Sequence, residues 1–209
     1  MFTLAVLDSD AFCCKGIADY FEARDIRTFC CPDMTELEFT LEIHSVQVVI
    51  AELATSKDTF FRCVKFLTQL NLRWPHIRLI IFTQIADPVL IKYVLQHVPH
   101  CNMVMKNDSV QQLAACIFAG ASGHPFNSSS QAMVWKYNQD EHKTLTPLEF
   151  RLLELMARGK TNKLIAPIVS RSNKTISSHK QNIMKKLGCR NVVELHSKLF
   201  KLDMLQRIK

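Results

Sequence analysis

The sequence predicts a two-part chain: a doubly wound parallel α/β domain of five β-α units, a (βα)5 arrangement, followed by a small all-α domain of four short helices. Three observations carry this. Residues 1–120 alternate short β-branched runs with helix-length amphipathic segments. The stretch Gly123-His-Pro-Phe-Asn-Ser-Ser-Ser130 then breaks the pattern, and Lys136–Lys143 is polar, so a linker is expected over 122–143. From Thr144 onward the chain carries 14 Lys and Arg against 4 Asp and Glu, whereas residues 1–143 carry 12 against 15. A near-neutral body with a strongly basic end points to a docking or sensing domain ahead of a polyanion binder.

In the first part, Thr3–Leu7 reads as a strand ending in Asp8-Ser9-Asp10. Asp10 caps a helix through Glu22 whose apolar face is Phe12, Ile17, Tyr20 and Phe21. Arg27–Cys31 reads as a strand and Met34–Ile43 as a helix. Val46–Ala51 has the β-branched composition of a central parallel strand buried on both faces. Helix Thr59–Leu70, strand Ile77–Phe82, helix Pro88–Leu95, strand Asn102–Met105 and helix Ser109–Gly120 complete five units with short connections.

Composition excludes several classes of function. The chain has 209 residues, 48% of them hydrophobic and 22% charged, enough apolar residues for a packed core. No apolar run approaches the roughly 18–20 residues of a membrane span, and no basic-then-apolar leader opens the chain. A cytosolic location is therefore expected. The eight cysteines, at 13, 14, 30, 31, 63, 101, 116 and 189, form no CxxC and read as reduced thiols that fill a core. His97-x-x-His100-Cys101 is too tightly spaced for a closed tetrahedral metal site. No glycine-rich phosphate loop, nucleophile elbow or HExxH occurs, so no enzyme activity, catalytic residue, metal or cofactor is expected.

The basic part predicts helices over Thr146–Arg158, Asn162–Val169, Asn173–Leu187 and Asn191–Phe200. Thr146 and Glu149 form a capping box with Pro147 at the first helical position. Gly159 and Gly188 close the first and third helices in the left-handed conformation. A short helix, a tight turn and a second helix with basic flanks is a helix-turn-helix arrangement. On the helix 173–187, Ser177, Gln181, Lys174, Lys185 and Ser178 share a stripe within about 100°, while Ile176, His179, Ile183 and Leu187 lie opposite it. The polar stripe suits the major groove: Gln pairs with adenine edges, Ser fits either base, and Lys reaches guanine or phosphate. His179 lies on the inner stripe and reads as structural.

Leu145-Thr146-x-x-Glu149, Leu152, Leu155, Ala157-Arg158-Gly159, Ile165-Ala166, Ser172-x-x-Thr175-Ile176-x-x-His179, Ile183 and Lys186-Leu187 resemble the LuxR/NarL/FixJ family of helix-turn-helix regulators. The string Lys174-Thr175-Ile176-Ser177-Ser178-His179-Lys180 is similar to the capsule-synthesis (Rcs) branch. The resemblance implies a transcription regulator that binds double-stranded DNA as a dimer, with Ser177, Ser178 and Gln181 facing bases. By the same resemblance Lys174, Thr175, Lys180 and Lys185 hold phosphates. It also implies a homodimer, or a heterodimer with an Rcs-type response regulator; an adaptor that acts mainly through such heterodimers is the alternative. Two departures stand out. Leu164 occupies a position where the family commonly has Glu, and Pro167 lies deep in the second helix, which predicts a kink or a late start.

The resemblance further implies a receiver-like fold for residues 1–121 and the DNA-binding unit for 144–209. Laid on the receiver pattern, Asp8 fills the first acidic position, Ser9 the second, Glu52 the position of the phosphorylated aspartate, Thr83 that of the hydroxyl and Lys106 that of the lysine. Losing a carboxylate at Ser9 weakens divalent-ion binding, and Glu52 displaces the nucleophilic oxygen by about one methylene. The expectation is a degenerate receiver in which Lys106 pairs directly with Glu52 and the usual aspartate phosphorylation is absent. Asp10 is the candidate replacement for the missing carboxylate.

Overall fold

The structure, a computed structural model, describes residues 2–121 and 144–204; the expected linker at 122–143 lies outside them. Strands β1 (Thr3–Leu7), β2 (Arg27–Cys31), β3 (Val48–Ala51), β4 (Arg78–Thr83) and β5 (Cys101–Met105) form one sheet in the order β2-β1-β3-β4-β5. Every neighbouring pair is parallel. Helices α1 (Ala11–Glu22), α2 (Met34–Ile43), α3 (Phe60–Arg73), α4 (Pro88–His97) and α5 (Val110–Ala121) fill the crossovers. The predicted five β-α units are all present.

Side-chain alternation along the strands divides the core in two. Leu4, Val6, Val48, Ile50, Ile80, Phe82 and Val104 face Cys14, Ile17 and Phe21 of α1 and Leu113, Cys116 and Ile117 of α5. Leu7, Val49, Ala51, Leu79, Ile81 and Met103 face the opposite layer, where Leu37, Leu41, Phe60, Leu67, Leu90 and Val94 come from α2, α3 and α4. The central strands are buried on both faces, as the β-branched runs require.

Two local readings need correction. Phe12 does not join the apolar face of α1: it is 92% exposed, and Cys14 occupies the buried position beside Ile17 and Phe21. Strand β3 begins at Val48, because the Val46 N–H turns back to the His44 carbonyl at 3.0 Å. Asp10 caps α1 as expected, accepting from the Phe12 and Cys13 N–H groups.

The second unit consists of α6 (Pro147–Ala157), α7 (Asn162–Ile168), α8 (Asn173–Lys186) and α9 (Val192–Met204). The capping box is formed: Glu149 N–H donates to Thr146 Oγ1 at 3.2 Å and Thr146 N–H to Glu149 Oε2 at 2.8 Å. Gly159 (φ 73°) and Gly188 (φ 66°) end α6 and α8, so that Lys160 N–H reaches the Leu155 carbonyl and Cys189 N–H the Met184 carbonyl. The late start expected from Pro167 is not seen. Helix α7 starts at Asn162, and Pro167 falls in its last turn, where one missing donor costs a single bond. The helix then stops at Ile168, with Ser170 at φ 52° and Arg171 N–H bonded to the Ala166 carbonyl at 3.0 Å.

Helix α6 lies against the receiver-like unit. The Phe150 ring stacks on Tyr93 of α4 at 4.0 Å between centroids and 8° between planes, and also meets Phe60 and Phe61. Lys198 Nζ of α9 donates to Asp87 Oδ2 and to the Leu187 carbonyl, both at 2.6 Å. An aromatic ring with neighbours on one side and an ion pair at the far edge hold the two units together. Replacing both, Phe150→Ala with Lys198→Ala, is expected to raise the radius of gyration measured by small-angle X-ray scattering. An unchanged radius would contradict this packing.

Candidate nucleic-acid interface and acidic pocket

Ser172 starts α8 by accepting the Thr175 N–H at 3.1 Å. The helix turns Ile176 and Ile183 fully inward against the α6–α9 core. That leaves Lys174, Ser177, Ser178, Gln181 and Lys185 exposed together, with Thr175, His179 and Lys180 half-buried beside them. The Thr175 hydroxyl hydrogen-bonds the Ser172 hydroxyl at 2.9 Å. All seven residues expected to meet DNA therefore lie on α8, five of them fully on its open side.

Two residues without an assigned role shape this face. Lys186 Nζ bonds Glu149 Oε2 at 2.6 Å and so ties the last turn of α8 to the first turn of α6. Burial opposes ionisation of Glu149, but Lys186 and the Thr146 N–H outweigh it and hold the carboxyl below its usual range. Asn162, at the start of α7, donates from Nδ2 to Ser177 Oγ at 3.2 Å. Nothing in the helical periodicity marks Asn162, because its partner lies on another helix.

The carboxyl ends of the strands gather the second group. Lys106 Nζ, after β5, sits 2.5 Å from Asp8 Oδ2 and 2.9 Å from Glu52 Oε2. Thr83 donates its hydroxyl proton to Glu52 Oε1, and the Leu53 N–H donates to the same oxygen at 2.8 Å. Ser9 Oγ instead accepts the Ser56 N–H at 3.0 Å. Asp8, Glu52 and Thr83 are buried. Burial disfavours the Lys106 charge, but the Glu52 and Asp8 carboxylates overcome it and raise the ammonium pKa. For Glu52 burial dominates and pushes the carboxyl up, against the pull of Lys106 and Thr83.

A receiver-type divalent cation needs clustered carboxylate oxygens. Here the oxygens that face one another are bridged by an ammonium, Ser9 supplies no carboxylate, and the Asp10 carboxylate caps α1. The donor set as arranged does not fit the cation. Among the described residues no group of three or more His, Cys, Asp or Glu side chains could hold a metal ion. His97 stacks on Tyr93, its Nδ1 2.9 Å from the Tyr93 carbonyl. No helix among the described residues is long and apolar enough to cross a membrane.

A five-stranded parallel sheet with an acidic pocket at its carboxyl edge, joined to a basic helix-turn-helix, defines a response-regulator-like protein. Residues 143–199 match the family model "Bacterial regulatory proteins, luxR family", and within that range the described residues from 144 onward form a LuxR-type helix-turn-helix domain. The chain is homologous to RcsB. It is 28% identical over 166 residues to the transcriptional regulatory protein RcsB of Escherichia coli K12, covering 78% of this chain and 76% of that one. It superposes on RcsB from Salmonella enterica serovar Typhimurium, bound to promoter P1flhDC in the presence of phosphomimetic BeF3−, with a TM-score of 0.67 at 25% identity. That match covers 95% of this chain and 97% of the other. A structure of two RcsB dimers bound to two parallel DNAs gives a TM-score of 0.65 at 25% identity, with 95% of this chain and 98% of that one covered. The curated relative is named a transcriptional regulatory protein, and both solved structures hold RcsB bound to DNA.

Removing the ammonium leaves two buried carboxylates facing each other. Lys106→Ala is expected to destabilise the protein by about 3–5 kcal/mol at about pH 7. In the wild type the raised Lys106 pKa keeps its contribution constant through neutral pH. In the variant Glu52 regains neutrality by binding a proton, so the difference should shrink towards about pH 5. Urea denaturation at both pH values checks this; a difference that does not change with pH would contradict the assignment.

Proposed function

We propose that the chain is a DNA-binding transcription regulator that acts as a dimer. Its receiver-like unit, residues 1–121, works without the usual aspartate phosphorylation. Residues 144–209 form the DNA-binding unit and 122–143 the linker. The observation that carries the reading is the open face of α8: five polar or basic side chains of the expected set lie exposed with the receiver-like unit docked, because that unit contacts α6 and α9. Ser177, Ser178 and Gln181 meet base edges, while Lys174, Thr175, Lys180 and Lys185 hold the backbone phosphates, a geometry that a helix in the major groove permits. The RcsB–DNA complexes support this placement by homology.

In the acidic pocket the Lys106 ammonium neutralises the carboxylates that a divalent cation would otherwise neutralise. Its contacts to Asp8 and Glu52, with Thr83 drawn onto Glu52, form a standing pair that imitates the activated arrangement. Exposed Val193 and Phe200 on α9 offer an apolar face to a second subunit. The site of action is the cytoplasm, where the DNA is.

The second reading, an adaptor that acts by heterodimerising with an Rcs-type response regulator, is favoured by the apolar exposure of Leu164 and Ile168 on α7. The two readings part on Lys180→Ala with Gln181→Ala. For a DNA reader, the double variant should lose at least tenfold in affinity for its duplex, the scale of one bidentate base contact and one phosphate contact, and lose its effect on a transcriptional reporter. An adaptor keeps the full reporter effect.

A further inference from the structure

We propose that the cleft between the two units is a binding site for a small organic anion, an aromatic carboxylate that lies on an aromatic wall under a basic rim. The site stands apart from the DNA-reading role of α8, and its test needs no DNA.

The cleft encloses about 740 Å³ between α3 and α4 of the first unit and α6 of the second. That volume is in the range of small-molecule sites, which form preferentially where two units meet. Helix α3 builds one wall from positions three and four apart. Phe61 and Val64 are 6% and 2% exposed, while Lys65 on the same face is open to solvent.

Tyr93 and His97 of α4, one turn apart, stack at 3.9 Å between ring centroids. Phe150 of α6 stacks on Tyr93 and meets Phe61 at 5.1 Å. Four rings therefore run in a row from His97 through Tyr93 and Phe150 to Phe61, and Phe66 adds a fifth to the lining. A flat aromatic body extends this row and buries further apolar area.

The charge of the lining sets the sign of the ligand. Four cations face the cleft, Arg62, Lys65, Arg151 and Arg158, against one carboxylate, Glu154. Arg151 and Arg158 share that Glu154, and Arg62 pairs at 3.4 Å with Asp58, which lies outside the lining. A guanidinium has five N–H donors, so these pairs leave most of them for a second planar acceptor such as a carboxylate. All four cations are exposed, so salt screens their attraction, and they select the ligand more than they hold it. Aromatic faces also attract cations, but four like charges beside these rings oppose that outcome.

Because α3 and α4 supply one wall and α6 the other, the ligand binds the docked arrangement and stabilises it by mass action. The receiver-like unit thereby gains an input that does not pass through the acidic pocket.

The test is equilibrium dialysis of the full chain against three probes that share one aromatic body: 2-naphthoate, 2-naphthylmethanol and 2-naphthylmethylammonium. The wild type should bind 2-naphthoate roughly tenfold more tightly than the alcohol, the scale of one hydrogen bond to a charged group, and should not retain the ammonium. Lys65→Glu with Arg158→Gln, both at exposed positions, should bring the naphthoate down to the level of the alcohol and leave the alcohol unchanged. Phe150→Ala with Lys198→Ala, which removes a ring and loosens the docking, should weaken both probes about tenfold. Lys15→Gln removes a cation from α1, across the sheet from the cleft, and should change none of these values. Should the Phe150 variant not fold, the charge variant carries the test. Equal binding of alcohol and naphthoate by the wild type, or retention of the ammonium, overturns the proposal. Naphthoate binding unmoved by both double variants places the ligand elsewhere and overturns it as well, and so does a wild type that retains no probe.

Discussion

The ammonium of Lys106 is the constraint on which the first half of the molecule depends. It reaches from the end of β5 to carboxylates that follow β1 and β3, and Thr83 at the end of β4 closes on the same Glu52. Four strand ends are thereby held in one buried cluster. Carboxylates with so little exposure are tolerated only when paired, and both of the pocket's carboxylates share this lysine. The pairing also shapes the turn after β4, because Thr83 Oγ1 accepts the Ile85 N–H at 3.1 Å just ahead of the Asp87 cap of α4.

From that cap a contiguous set of contacts leads to the basic unit. Asp87 meets Lys198, and Lys198 also bonds the carbonyl of Leu187, the residue that caps α8. Glu149 and Lys186 hold the same end of α8 from the α6 side. The reading helix is thus anchored at its carboxyl end, and the stripe with Ser177, Ser178 and Gln181 stays open. Docking of the receiver-like unit in this arrangement steadies the helix without covering its face.

Local chemistry made most elements legible in advance. Asp10, Thr146 and Ser172 each stand just before an amphipathic run, and each caps the expected helix. Gly159 and Gly188 take the left-handed angles that end α6 and α8. The acidic pocket was legible only through resemblance, since Asp8 and Lys106 lie 98 residues apart and no periodicity joins them. Hydrophobicity alone favours burial of Phe12, but helical angle puts Cys14 with Ile17 and Phe21 towards the sheet and turns Phe12 to solvent. His100 takes φ 51° before β5 in a loop that has no glycine, a conformation that its composition does not announce. Asn162 and Phe150 act across element boundaries, on Ser177 and on Tyr93, and such pairings follow from tertiary packing alone.

The standing Lys106 pairing is proposed to make phosphorylation of the pocket dispensable. The most direct measurement treats the full chain with acetyl phosphate and Mg2+, then records its intact mass and its affinity for the selected duplex. The expected result is no added phosphoryl mass and an unchanged affinity. A phosphoryl group on the chain, accompanied by tighter DNA binding, would contradict it.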